Sequence, residues 1–404
     1  MSLTKVSYSM ITGAVANVKD YGAVGNGTTD DTAAVQLAVS SGKTVYFPNG
    51  DYLITSTINI VTIHQAFNFD GFVVRAASMA TGDFVFYANN VDNLTFNSPK
   101  IVTPPTQTAF VQSGGFIYLN NCNYSKVLNG TFISRGVGGQ PTLFSHLSTP
   151  GCDDLLIEGN YFAYSYGNAC GAQDGVGDGA RGKRVRIVNN AFAENVDTSV
   201  GCYTNCSDVV IANNTFKRTT NSPSYNGVMI DVAGATDVVI ANNVIVGNTF
   251  GIRIATNLAY TNNNILVTNN IIKNQFVGAS DVGCGIRFAP SGGQDTSIKI
   301  VNNEIVVTNS TCVGIDLAIA QTGTAEIEIN RNKINAGPGA CFRTQGTGGA
   351  NPIRWIAGNN NIVGTFATTI NEQATSPANV IEMGAPVMVN TGVTLTAASP
   401  NLFL

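Results

Sequence analysis

One phrase recurs along this chain and restricts what it can fold into: an apolar residue, a spacer, Asn-Asn, a spacer, an apolar residue. It reads Ile187-Val-Asn-Asn-Ala-Phe192, Ile211-Ala-Asn-Asn-Thr-Phe216, Ile240-Ala-Asn-Asn-Val-Ile245, Val267-Thr-Asn-Asn-Ile-Ile272 and Ile300-Val-Asn-Asn-Glu-Ile305, then Ile329-Asn-Arg-Asn-Lys-Ile334 with Arg in the first Asn position. The second Asn falls at Asn190, Asn214, Asn243, Asn270, Asn303 and Asn332, in steps of 24, 29, 27, 33 and 29 residues. Weaker copies centre on Asn160, Gly130, Pro99 and Asp70 upstream and on Asn360 downstream. A period of this length marks a solenoid, in which each repeat buries its apolar face only against its neighbours.

The phrase also says which solenoid. Apolar residues alternate on both sides of Asn-Asn, as in strands. Asn and Gly accept the left-handed backbone that a sharp bend needs. A second strand recurs ahead of each marker: Gly227-Val-Met-Ile-Asp231, Gly251-Ile-Arg-Ile254, Gly285-Ile-Arg-Phe288, Gly314-Ile-Asp-Leu317 and Ala340-Cys-Phe-Arg343. Three short strands and three turns fill one coil, and coils pair in parallel at ~4.8 Å. The prediction is an all-β chain, a right-handed parallel β-helix over 61–365. Equivalent Asn side chains stack in a ladder inside the bend, holding turns rather than doing chemistry.

Composition excludes several functions. Charged residues are 11% of the chain and the net charge is −4, with no Lys/Arg run to follow a nucleic acid or an anionic membrane surface. No apolar run reaches the ~18 residues of a membrane span, and the first residues lack the basic and apolar regions of a secretory signal. The Cys residues are scattered, at 122, 152, 170, 202, 206, 284, 312 and 341. The close pair Cys202 and Cys206 has no His nearby to complete a zinc site, so buried free thiols are expected and no metal or cofactor is implied.

The opening departs from the repeat. Residues 1–17 form a lead-in, and 18–60 read as a cap over the first coil. Gly22, Gly25 and Gly27 mark a turn-rich stretch. Asp30 or Asp31 can cap a helix to about Ser41 with Ala34, Val35, Ala38 and Val39 on one face, a suitable lid for a solenoid end. The stretch VKDYGAVGNGTTDDTAAVQLAV, followed by TVYFPNGDYLI, resembles the opening of pectate-lyase-superfamily β-helix proteins over residues 18–54. The preceding VSYSMITGA is similar to the junction found in bacteriophage tail fibres and tailspikes. That resemblance implies a carbohydrate partner, here a bacterial surface polysaccharide. It further implies a homotrimer, other phage tail proteins as partners and a place on the virion tail. The family includes lyases, hydrolases, epimerases and simple binders, so the fold alone does not name a reaction. Beyond about 366 the phrase stops, and 366–404, ending Asn401-Leu-Phe-Leu404, reads as a second cap or a subunit contact.

Alternation places candidate chemistry. With Ile252 and Ile254 inward, Arg253 points out; by the same count so do Arg287, Asp316 and Arg343, and also Met229 and Asp231. The predicted surface column is Tyr203, Met229, Arg253, Arg287, Asp316, Arg343. Aromatic faces and guanidinium forks of this kind suit an acidic polysaccharide. Hydrolysis needs two carboxylates, roughly 5–5.5 Å apart in retaining enzymes and 6.5–9.5 Å in inverting ones. Asp231 is the first choice, with Asp197 as partner in a retaining arrangement or Asp174 in an inverting one. Asp174 and Asp178 sit in a Gly-rich loop whose spacing also allows a calcium loop. Glu194 is a reserve carboxylate, and His146 is read as structural. A lyase would instead use Arg253, Arg287 or Tyr203 around a uronate, and a non-catalytic spike would bind glycan without product.

Overall fold

The structure is a computed structural model. It describes residues 14–362 apart from short segments at 109–110, 112, 140, 174–181, 204, 220–226, 256–261, 274, 277–282, 290–295, 310, 319–324, 336–339, 346–352 and 359. Beyond 362 it describes the strands Ile370–Glu372, Val380–Met383, Met388–Val389 and Leu402–Phe403. The chain divides into two compact units, 1–195 and 196–404.

Each unit is a parallel β-helix with three sheets. In the first unit, one sheet runs through Val45–Phe47, Ala66–Phe69, Thr95–Asn97, Lys126–Leu128, Leu156–Glu158 and Arg186–Val188. A second runs from Asn26–Asp30 to Ala191–Ala193, and a third contains Ile58–Ile60, Phe84–Asn89, Gly115–Asn120 and Leu147–Pro150. Every strand pairing between these coils is parallel. The second unit repeats the plan. Its third sheet holds Thr198–Tyr203, Val228–Ala233, Phe250–Ala255, Cys284–Ala289, Val313–Ala318 and Ala340–Gln345, in that order.

The Asn-Asn phrase makes the bend between the first and second sheets. Its first residue takes the left-handed conformation: φ is 59° at Asn189, 58° at Asn213, 57° at Asn242, 56° at Asn269 and 58° at Asn302. Arg331 adopts φ 56° in the same place, which explains how the degraded copy still turns. The second Asn is buried and bonds from coil to coil. Asn243 Oδ1 accepts from the backbone N–H of Asn214 at 2.9 Å, and Asn243 Nδ2 donates to Ile211 O at 2.9 Å and to Asn270 Oδ1 at 3.0 Å. Asn270, Asn303, Asn332 and Asn360 continue the pattern, as do Asn160 and Asn190 in the first unit. Each side chain satisfies bend amides that would otherwise be orphaned in the interior.

Inside, alternation delivers one apolar residue per coil to the same place. Phe132, Phe162 and Phe192 stack at 4.9 and 5.2 Å with ring planes within 8° and 13°. The described cysteines are free and buried. The helix Thr32–Ser40 buries Val35, Ala38 and Val39. Asp30, not Asp31, bonds its first turn, accepting from Thr32 N at 3.0 Å, while Asp31 turns away to hold the amides of Val24 and Gly25. Among the described residues no helix is long and apolar enough to cross a membrane.

Candidate active site

The outward face of the third sheet in the second unit carries a column of charged residues. Its register stacks Gly201, Asp231, Arg253, Arg287, Asp316 and Arg343 in one column. The predicted column had Tyr203 and Met229 in the first two places. Both are corrected here. Aligning Gly227 with Gly251 displaced that coil by two residues, because the two glycines do different jobs. Gly251 lies inside its strand, where a Cβ would meet the Gly285 carbonyl oxygen at 2.5 Å. Gly227 precedes its strand, where a Cβ would meet Asn248 Oδ1 at 2.1 Å and Val196 O at 2.4 Å. Met229 is buried and touches Ser199 Oγ through its sulfur. Asp231 is therefore the residue beside Arg253.

Asp231 is held from two sides. Arg253 grips it in a fork, Nε to Oδ1 at 2.8 Å and a terminal nitrogen to Oδ2 at 2.6 Å. The Tyr203 hydroxyl donates to Oδ2 at 2.9 Å. The backbone of Tyr203 pairs with Ala233, two positions on, but its ring folds back over Gly201 to reach Asp231. Burial, with the Asp231 charge second, raises the Tyr203 phenol well above its ordinary range. Burial works against the charge of Arg253, yet its bonds to Asp231 and the nearby carboxylates win and raise its pKa further.

Asp197 belongs to the same electrostatic neighbourhood. Burial raises its pKa; the Asp231 charge adds to the rise, while Arg253 and Arg218 oppose it. Asp197 is not opposite Asp231. It precedes Gly201 by four residues, about 13 Å along a strand, with one ~4.8 Å coil step between. Its backbone is fixed by Val228 N–H, which donates to Asp197 O at 2.6 Å. Arg218 anchors the residue before it, donating to Val196 O at 2.6 Å and to Asn248 Oδ1 at 3.1 Å. Arg218 and Gly201 did not stand out in the sequence as site residues. Their signals were a basic residue just past a marker strand and a glycine interrupting an alternating one.

A second pair follows along the column. Arg287 Nε lies 3.7 Å from Asp316 Oδ2, and its guanidinium sits 5.1 Å from the centre of the Phe250 ring. The predicted exposed strip is corrected by burial. The Asp316 side chain is 0% exposed and that of Asp231 2%, against 34% for Arg253 and 16% for Arg287. The carboxylates lie beneath and the guanidiniums form the accessible layer, because each Arg pairs with a neighbour in the column. Asp316 thus lies beneath Arg287. Arg343 shares the column by backbone register; its side chain, and all of Asp174 and Asp178, lie outside the described residues. His146 sits in the first unit, fully buried between Phe116 and Phe162. Among the described residues no three His, Cys, Asp or Glu gather as metal ligands.

Residues 15–125 match the family model described as rhamnogalacturonase A/epimerase, pectate lyase-like. A non-secreted LysM effector of Penicillium expansum is 30% identical over 195 residues, 38% of this chain; the match spans 13% of that protein's length. Among solved structures, the Dettilon tailspike protein aligns over 90% of this chain and 70% of its own at 16% identity, with a TM-score of 0.62. The catalytic unit of the GH87 α-1,3-glucanase from Streptomyces thermodiastaticus aligns over 97% of this chain and 71% of its own at 14% identity, with a TM-score of 0.61. These likenesses establish fold. The opening coils, residues 15–125, thus match a pectate lyase-like family model, and both units have the parallel β-helix architecture.

Proposed function

We propose that this protein is a tailspike-like depolymerase that binds and hydrolyses a bacterial surface polysaccharide, acting as a homotrimer on a virion tail. The observation that carries the reading is two carboxylates in unlike surroundings: Asp231, ion-paired to Arg253, and Asp197, whose pKa burial raises, the direction a general acid for a leaving glycosidic oxygen needs. The fold shared with a tailspike and with a glucanase supports the substrate class. Arg253 and Arg287 form the accessible layer against which acidic sugars would lie.

The backbone offset between Asp197 and Asp231, about 14 Å, exceeds the separations of both retaining and inverting pairs, so the two side chains would have to reach toward each other and the offset does not choose between the arrangements. In an inverting reading Asp197 is the acid and Asp231, once Arg253 turns from it to the substrate, the base that activates water. Tyr203 donates to Asp231 and burial raises its phenol, which disfavours it as the base of an elimination. Incubation with capsular polysaccharides and lipopolysaccharides from a strain panel, followed by mass spectrometry, tests the reading. Fragments heavier by one water are expected. Unsaturated fragments absorbing in the ultraviolet would replace hydrolysis with elimination, and binding without fragments would leave a receptor spike.

A further inference from the structure

The first unit carries a cleft unrelated to these charges. It has a volume of about 500 Å³ and is lined by Thr57, Asn59, Asp83, Phe84, Tyr87 and Tyr118 among others. Small-molecule clefts span roughly 300–1,000 Å³, so this one is of ligand size. It lies on the outward face of the third sheet, where Asn59, Tyr87, Tyr118 and Ser148 follow one another in register. The Tyr87 and Tyr118 rings are parallel within 6° at 5.4 Å, and the Phe84 ring leans on Tyr118 at 4.9 Å. The result is one continuous aromatic wall with a polar rim.

An outward aromatic wall is not required by the fold, whose own rings stack inward. Aromatic rings present flat apolar area with little rotamer freedom to lose on binding. A pyranose offers the complement: an apolar C–H face for the wall and a ring of hydroxyls for the rim. Asn59 and Thr57 can donate and accept, and the Asp83 carboxylate accepts from hydroxyls. Charge narrows the class. Arg75 is fully buried, and its guanidinium donates to the carbonyls of Ala76, Ala80 and Asp83. An anionic sugar would meet the Asp83 carboxylate, and none of the residues lining the cleft carries a positive charge. We infer that the Tyr87–Tyr118 cleft is an accessory subsite for neutral pyranose units, separate from the arginine-lined site of the second unit and taking part in no bond cleavage. The inference rests on the reading of the chain as a polysaccharide-active protein.

Affinity electrophoresis of the full chain in gels containing dextran, laminarin or polygalacturonate separates the two sites. Retardation by at least one neutral glucan is expected. Tyr118→Ala and Tyr87→Ala should each weaken it about tenfold, with unchanged retardation by polygalacturonate. Asn59→Ala, at an exposed rim position, should weaken it less and without any effect on folding. Arg253→Ala should act only on the anionic polymer, so a failure of the second-unit site shows in that arm alone. No retardation of the wild-type chain by either neutral glucan would overturn the inference. So would tyrosine variants that fold and are retarded like wild type, or a loss seen only with a lowered melting temperature while Asn59→Ala changes nothing.

Discussion

At Gly201 a Cβ would lie 2.4 Å from the Tyr203 ring, so only glycine lets that ring cross the strand and reach Asp231. Gly201→Ala should evict Tyr203, costing about 1–3 kcal/mol for the overpacking and lowering turnover; thermal melts and fragment release measure both. Asp231→Asn removes charge from a site where Arg253 is its fork partner. Turnover should fall roughly 10²–10⁴-fold, and because the carboxylate is buried and paired the fold should also lose a few kcal/mol. Asp197→Asn, away from that fork, should lower activity with a much smaller change in melting temperature. If both variants release fragments like wild type, these carboxylates are not the catalytic pair. His146 supplies a pH prediction. Ser134 Oγ lies 2.6 Å from the Tyr164 carbonyl, to which it donates, and 2.8 Å from His146 Nε2. Nε2 therefore carries the hydrogen and the ring is neutral. Burial pushes its pKa down to about 3, from 6.5. Below pH 6.5 the unfolded chain takes up a proton that the folded chain refuses, so stability present above 6.5 falls as pH drops toward 3. The slope from this group approaches about 1.4 kcal/mol per pH unit. His146→Phe should flatten that acid limb in melting temperature against pH.

At the scale of the element, the Asn bend is the unit that repeats. Asn270 Oδ1 accepts from Asn243 N–H and Nδ2, and its own Nδ2 donates to Ile240 O and Asn303 Oδ1. Asn270→Ala would strip partners from buried groups in both neighbouring coils, each worth ~1–3 kcal/mol when left unsatisfied. A loss of about 2–4 kcal/mol is expected in denaturant titration. A loss below about 0.5 kcal/mol would mean that the ladder is a consequence of the bend rather than its support. The bend was legible in the sequence because it depends on local rules: left-handed backbone at the first Asn, an amide side chain at the second. The third sheet was legible only in part. Its glycines looked equivalent, yet Gly227 precedes its strand and Gly251 lies inside its own.

At the scale of the whole molecule, the coils give a surface on which chemistry is spaced by strand register, about 4.8 Å per step. Arg253 and Arg287, backed by the buried Asp231 and Asp316, therefore present guanidiniums at successive steps to the proposed extended polymer. The proposed homotrimer predicts a sedimenting mass three times the 42.2 kDa of the chain. Analytical ultracentrifugation at micromolar concentration checks it, and a species at the chain mass would remove the trimer from the proposal. The backbone of Leu402–Phe403 pairs with Val380–Met383 as a further strand.

The sequence by itself determined the solenoid, its period, the inward residues and the Asn ladder, because each follows from spacing along the chain and from what a residue type does to its own backbone. It also put Asp231, Arg253, Arg287 and Asp316 on the outward face, since alternation has a period of two. Only the tertiary structure decided which outward residues stand side by side, because coils of unequal length leave their alignment to packing between neighbours. It also decided which of them meet solvent. Pairing across coils sinks Asp231 and Asp316 beneath their arginines, and the passage of Tyr203 over Gly201 adds a hydroxyl that strand alternation had placed two positions away.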